Sequence, residues 1–313
     1  MGESEREPEP MRHETPKKRV ILTALERRGI PRAMRTKELP RPVLKWAGGK
    51  AQLATLILDR LPQRIETYHE PFFGGGAVFF ALARQKRFSR AILSDVNPEL
   101  IDVYRAVRDD VDAVIKRLRK MHCDEDEFYR IREQRPTSLA GRAARTIYLN
   151  KTGFNGLYRV NRSGEFNVPF GRHDNPTICD EPNLRRVAVA LSPVELLVDD
   201  FESVSTRVKP GDAVYLDPPY LPISKTAYFT NYDRHPFKLP EHERLAKVFE
   251  AISACGVAAI LSNSCTSESK RLYSAHRIEY PLVSRAINSD SKKRGKIKEI
   301  LVSNQAILAL VKA

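Results

Sequence analysis

Four consecutive residues, Asp217-Pro218-Pro219-Tyr220, close the apolar run Val214-Tyr215-Leu216. An exocyclic amine on an aromatic base, such as N6 of adenine, is a poor nucleophile because its lone pair is delocalised into the ring. A carboxylate and a backbone carbonyl that accept its two N–H bonds localise that lone pair and stabilise the positive charge that develops as an electrophile arrives. Asp217 supplies the first acceptor and the carbonyl of Pro218 the second. Pro218 and Pro219 restrict the backbone to extended geometry, which holds that carbonyl in place. Tyr220 offers a ring face on which an extrahelical base can stack. No cysteine nucleophile is required.

A second constellation precedes this one. In "EPFFGGGAVFF", Gly74, Gly75 and Gly76 stand where a strand turns into a helix. Glycine there permits positive φ and lets a ligand approach without a Cβ in the way. Asp95 ends the next apolar run, where a carboxylate can accept hydrogen bonds from the two hydroxyls of a ribose. Together they point to a nucleoside-containing cofactor; taken alone, they fit a tight turn followed by a helix-capping acid better.

Both constellations need strand ends at one edge of a parallel sheet. "ETYHEPFFGGGAVFFALAR" and "RAILSDVNPELIDVYRAVRDD" read as successive strand–helix units, and "VELLVDDF", "DAVYLDPPY", "LPEHERLAKVFEAIS" and "GVAAILSNS" resume the alternation. Strand-like runs around "HRIEYPLV" and "EILVSNQAILAL" follow. Upstream, "VLKWAGGKAQLATLILDRLP" predicts a Gly-Gly turn and a helix closed by Pro62. From about Val111 to Cys179 charged helices give way to a segment dense in Asn, Gly and Arg, with Arg162-Ser163-Gly164 as the turn between two short strands. The expected architecture is an α/β core, residues 41–97 and 184–313, with an insertion at 98–183. Residues 1–40 read as a flexible arm with a short helix around Val20 to Arg28.

The 313 residues carry a formal net charge of +14, with 42% hydrophobic and 29% charged residues, which predicts a globular chain with a polyanionic partner. Four scattered cysteines without a CxxC pair and seven histidines without HExxH argue against a zinc site or a disulfide framework, so no metal is expected. No apolar run reaches the ~18 residues of a membrane span. Met1-Gly2 opens like a myristoylation signal, but Arg6 stands where Ser or Thr is wanted. A cytoplasmic, non-exported chain is expected.

The motifs "LKWAGGK", "EPFFGGG", "SDVNPEL", "NGLYRVNRSGEFNVPFG" and "YLDPPY", in this order, resemble those of Dam-type DNA adenine-N6 methyltransferases, over residues 42 to 305. The resemblance implies a Rossmann-like, S-adenosylmethionine-dependent core with an inserted helical and β-hairpin target-recognition domain. It implies cofactor contacts from Trp46, Lys50, Glu70, Phe72, Gly74, Gly76 and Asp95, with Asp217 between cofactor and target amine. Trp46, the single tryptophan, is equally at home in a core.

It further implies a double-stranded DNA substrate, a target resembling GATC, and a recognition hairpin. Arg159 and Asn155 suit bidentate contact with base edges, and Phe154 suits a wedge in the stack vacated by a flipped base. Leu157, Asn161, Pro169 and His173 complete the expected contacts. Near the C-terminus Arg285, Lys292, Lys293, Arg294, Lys296 and Lys298 read as a glycine-broken loop for phosphate contact. "TAYFTNYDRHPF", with Tyr228, Phe229 and Tyr232, fits either a loop closing over the base or core packing. The rival readings are an N4-cytosine methyltransferase, an RNA methyltransferase and a DNA-binding regulator without turnover. A monomer is expected.

Overall fold

The computed structural model describes residues 39–46, 48, 50, 52–161, 163–222, 237–284 and 296–307. The expected arm and its helix around Val20, Arg162, the Tyr228, Phe229 and Tyr232 loop, and the basic residues Arg285, Lys292, Lys293 and Arg294 lie outside the described residues.

An eight-stranded sheet organises the chain. Its strands are β1 (Ile65–Glu70), β2 (Phe88–Asp95), β3 (Val194–Val198), β4 (Ala213–Leu216), β5 (Ala258–Ser264), β6 (Arg277–Glu279), β7 (Leu282–Ser284) and β8 (Lys296–Ser303). They lie in the order β3-β2-β1-β4-β5-β8-β6, with β7 also paired to β8. Strands β1 to β5 are parallel, and β8 enters antiparallel to β5. A continuous apolar strand is what a parallel sheet covered on both faces requires. Every residue of β4 and β5 is buried, which explains why "AVYL" and "AAIL" show no alternation.

Nine α-helices connect these strands among the described residues: α1 (Ala54–Arg60), α2 (Ala77–Gln85), α3 (Pro98–Asp109), α4 (Val111–Leu118), α5 (Glu125–Glu133), α6 (Leu139–Thr152), α7 (Glu181–Leu191), α8 (Leu239–Ala254) and α9 (Ser267–Leu272). The start of α3 is written locally. Asn97 accepts hydrogen bonds from the Glu99 and Leu100 amides while Pro98 occupies the first turn, where its missing N–H costs nothing. The helix buries Leu100, Ile101, Val103, Tyr104, Ala106 and Val107.

One large hydrophobic cluster joins β1, β2 and β3 to α1, α2, α3, α4, α6 and α7, so part of the 98–183 segment packs into the same core as the sheet. A second cluster lies around α8, β4, β5 and β8. A third gathers Phe128, Ile131, Tyr148, Tyr158, Phe166 and Val168, and it seats the Asn-rich segment on α5 and α6.

Two expectations change. Lys296 and Lys298 do not belong to the basic loop but open β8, exposed on alternate positions, because the apolar run that follows continues the strand back to them. The segment between Gly153 and Phe170 forms two isolated bridges, Gly153 with Phe170 and Val160 with Phe166, rather than two short strands. Asn161 and Glu165 pair through backbone and side chain at its tip, and these local bonds replace a longer ladder.

Candidate active site

The sheet order reverses between β1 and β4: β2 and β3 continue to one side, β5 and β8 to the other. Ligands of open α/β sheets bind in the crevice at the carboxyl ends of such a pair. The glycine turn leaves β1 there and Asp217-Pro218-Pro219-Tyr220 leaves β4 there, in strands paired at Tyr68 with Ala213 and His69 with Val214.

Asp217 is the centre of the polar network. Its Oδ1 lies 2.9 Å from the Lys50 ammonium and accepts a 2.9 Å hydrogen bond from the Ser262 hydroxyl. Burial pushes the Asp217 carboxyl above the ordinary aspartate range, and the Lys50 charge and the hydrogen bonds from Lys50 and Ser262 oppose that rise. Lys50 is itself buried, donates to the Gly48 carbonyl at 2.6 Å, and stands 4.6 Å from the centre of the Tyr220 ring. That placement gives Tyr220 a cation on one face. The Tyr220 hydroxyl donates to Glu299 on β8 at 2.8 Å, and the Leu221 amide donates to Asn263 on β5 at 3.2 Å. Ser264 closes the pinning with a 2.6 Å bond to the Leu221 carbonyl. Among the described residues nothing donates to the Pro218 carbonyl.

The glycine turn is held from below. Asp95 accepts from the Gly74 amide and from the Asn97 amide, both at 3.0 Å, one on each carboxylate oxygen. Gly76 sits at φ +68° as the residue before α2, and a Cβ there would lie 2.4 Å from the Phe73 ring. A glycine is therefore required twice over, by backbone and by space. Trp46 covers Gly74 and Gly75 and stacks on Tyr158 at 4.9 Å, so it is both part of the packing and a wall of the crevice.

Two of the expected cofactor residues sit behind this wall. Glu70 is buried, accepts from the Tyr68 hydroxyl at 2.8 Å and the Phe79 amide at 3.2 Å, and burial pushes its carboxyl up to about 8. Phe72 joins an aromatic cluster with Phe201 and Phe237 at 5.3 and 5.8 Å.

The hairpin segment is joined to the crevice by Asn150. Its side chain accepts from the Lys45 amide at 2.8 Å and donates to the Lys45 and Gly156 carbonyls at 2.9 and 3.0 Å. Beyond it Phe154 is exposed and Asn155 takes the left-handed conformation at φ +55°. Arg159 is exposed at the guanidinium yet oriented by Asn167, through Nε to Oδ1 at 2.8 Å and Nη2 to the backbone carbonyl at 3.1 Å. Asn161 is occupied by Glu165, His173 bonds the Gly153 carbonyl at 3.0 Å, and Pro169 receives the Phe154 amide at its carbonyl at 2.9 Å. Leu157 is half-buried against the third cluster. The structure thus brings Phe154, Asn155 and Arg159 to one segment, with Leu157, Asn161, Pro169 and His173 shaping it.

Sequence reasoning missed Ser262, Asn263, Glu299, Asn150 and Asn167. A signal existed for two of them: Ser262 and Asn263 are polar residues inside the apolar strand "AAILSNS", where burial demands a partner. Among the described residues no group of His, Cys, Asp or Glu is arranged to hold a metal ion, and no helix is long and apolar enough to cross a membrane.

Comparison with known proteins agrees with this geometry. The chain is 40% identical over 286 residues to the type II methyltransferase M.MjaIII of Methanocaldococcus jannaschii, covering 84% of this chain and 99% of that one. It is 35% identical over 271 residues to the DNA adenine methylase of Salmonella typhi, covering 85% and 95%. With the DNA adenine methylase of Escherichia coli K12 it shares 34% over 267 residues, covering 83% and 94%. The family model for D12 class N6 adenine-specific DNA methyltransferases matches residues 46–287, a span that includes Trp46, the glycine turn, the hairpin and the four residues Asp217 to Tyr220. The chain belongs to this family and is an adenine-specific DNA methyltransferase.

Proposed function

We propose that the chain transfers the methyl group of S-adenosylmethionine to N6 of an adenine flipped out of double-stranded DNA, within GATC. The observation that carries this reading is the position of Asp217 and Tyr220 across the switch point from the Gly74–Gly76 turn. The crevice fits the donor. Gly74 and Gly76 adopt positive φ at its floor, Asp95 stands at the end of β2, and Trp46 covers the turn. These residues, with Lys50, would hold it, and when bound it would supply the electrophilic methyl group.

The chain's own part is orientation and charge. Asp217 accepts one N–H of the target amine and the Pro218 carbonyl the other, which redirects the lone pair towards the methyl group and stabilises the cation formed at nitrogen. Tyr220, held by Glu299, receives the base on its open face. The proton lost from the amine passes to the Asp217 carboxylate, whose affinity for a proton is raised by burial.

Recognition is assigned to the insertion, residues 98–183, with the core at 41–97 and 184–313 and the arm at 1–40. Arg159 reads a base edge, Phe154 enters the stack, Asn155 contacts the neighbouring base, and Leu157, Asn161, Pro169 and His173 line the approach. Arg285, Lys292, Lys293 and Arg294 contact phosphate, and binding weakens steeply with salt. The protein acts as a cytoplasmic monomer associated with the nucleoid.

The test is methylation of plasmid DNA by the purified protein with S-adenosylmethionine, read by sequencing of modified bases. N6-methyladenine confined to GATC supports both donor and target. Methylation at another sequence retains the chemistry and refutes the target, and an unmodified plasmid refutes the reading.

A further inference from the structure

Among the described residues, both donors to Asp217 reach the same oxygen. Lys50 Nζ and Ser262 Oγ each lie 2.9 Å from Oδ1, and among the described residues none donates to Oδ2. Behind Ser262 stands Tyr215, whose hydroxyl is 2.8 Å from Ser262 Oγ. A hydroxyl has one proton to give, and a carboxylate can only accept. Ser262 spends its proton on Asp217, so the Tyr215 hydroxyl must donate to Ser262. The polarity of the chain is thereby fixed: Tyr215 to Ser262 to Asp217. Ser262 and Tyr215 are fully buried, so no water competes for the bond between them.

We propose that Ser262, backed by Tyr215, is a positioning residue that locks the Asp217 carboxylate with Oδ1 turned inward and reserves Oδ2 for the amino group of the target adenine. The inference rests on Asp217 accepting that amine. Aspartate presents two equivalent oxygens on a rotatable bond; two donors on one of them convert it into a single directed acceptor. A chain of polarised hydroxyls also strengthens the last bond in the series and opposes the rise that burial imposes on the carboxyl.

The groups that face Asp217 set its titration together. Lys50 comes from the segment before α1, Tyr68 and Glu70 from β1, Tyr215 from β4, Ser262 from β5, and Tyr220 from the loop after β4, itself bonded to Glu299 on β8. Of these, Ser262 and Lys50 donate directly to the carboxylate. Loss of the serine hydroxyl removes a bond to the charged form, so Asp217 takes up its proton at higher pH.

The experiment compares Ser262→Ala, Tyr215→Phe and Asp217→Ala with the wild-type chain in steady-state kinetics across pH, on duplex DNA with S-adenosylmethionine. Expected for Ser262→Ala is a loss of at least tenfold in kcat, KM for DNA within about twofold of wild type, and an acid limb of the pH–rate profile moved to higher pH. Tyr215→Phe should fall between it and wild type with the limb moved in the same direction. An acid limb that stays in place in both variants, or a loss carried by KM with kcat retained, overturns the proposal. Should Ser262→Ala fail to fold in a thermal melt, Tyr215→Phe carries the decision, since it deletes one oxygen and leaves the ring. Asp217→Ala, which removes the acceptor altogether, separates the two levels. If it remains active, the role assigned to Asp217 fails; if it is inactive while both other variants behave as wild type, only the positioning role fails.

Discussion

The Lys50 ammonium stands 2.9 Å from Asp217 Oδ1 with both side chains largely out of water, in a position where the amine of a substrate would find the same carboxylate. A buried pair of this kind is held by its geometry. Removing one partner leaves an uncompensated charge, which is costly. The lysine thus allows a carboxylate to stay ionised at the end of a buried strand.

Replacing Lys50 by Met retains the length of the chain and removes the charge. The Asp217 carboxyl then rises further, and activity at neutral pH should fall by tenfold or more with an acid limb displaced upwards. A pH–rate profile of the variant checks this; an unmoved limb would mean the ammonium does not control Asp217.

The proton on Glu70 gives a stability prediction. Its folded value near 8 exceeds the ordinary 4.5, so the folded state binds the proton more tightly than the unfolded chain does. Stability from this group is complete below about 4.5 and is lost as pH rises through about 8. Glu70→Gln keeps an acceptor for Tyr68 and Phe79 without titrating, and should flatten that part of the dependence of melting temperature on pH. A variant curve parallel to wild type from pH 5 to 8 would refute it.

Gly76→Ala places a Cβ against Phe73 at a positive φ. It should destabilise the fold by about 1–3 kcal/mol and weaken donor binding at the same time. Thermal melts and calorimetric titration with S-adenosylmethionine measure the two effects, and wild-type values for both would refute the account of the turn.

Asn167→Ala releases Arg159 without touching its charge. Discrimination against a substituted base at the contacted position should drop by up to about 1–3 kcal/mol, while binding to DNA of unrelated sequence stays constant. Asn167→Asp should instead weaken both, because an ion pair withdraws Arg159 from DNA. Unchanged discrimination in the alanine variant would remove Arg159 from base reading.

Much of this site is written in contiguous residues. The corner at Asp217 follows from an apolar strand stopped by two prolines, and the start of α3 follows from Asn97 and Pro98. What the sequence hides is the set of partners. Ser262 is 45 residues from Asp217, Glu299 is 79 from Tyr220, and Asn150 is 105 from Lys45. Each pair meets only because the sheet order places β5 beside β4 and β8 beside β5, or because α6 packs under the segment before α1. Such contacts carry no local signature. Polar residues in a buried strand announce that a partner exists without naming it, and the approach of Lys296 and Lys298 to solvent along β8 likewise became visible only once that strand had a neighbour.

Asn150 has a consequence for how the two ligands sense each other. It clasps both backbone groups of Lys45 and the Gly156 carbonyl, while Trp46 lies on Tyr158. The strap that covers the glycine turn and the segment that carries Phe154 and Arg159 are therefore joined by three hydrogen bonds and a ring stack. If donor and DNA bind as proposed, ordering of this joint by one would prepare the place of the other. By reciprocity, any factor by which DNA then raises affinity for the donor equals the factor by which the donor raises affinity for DNA.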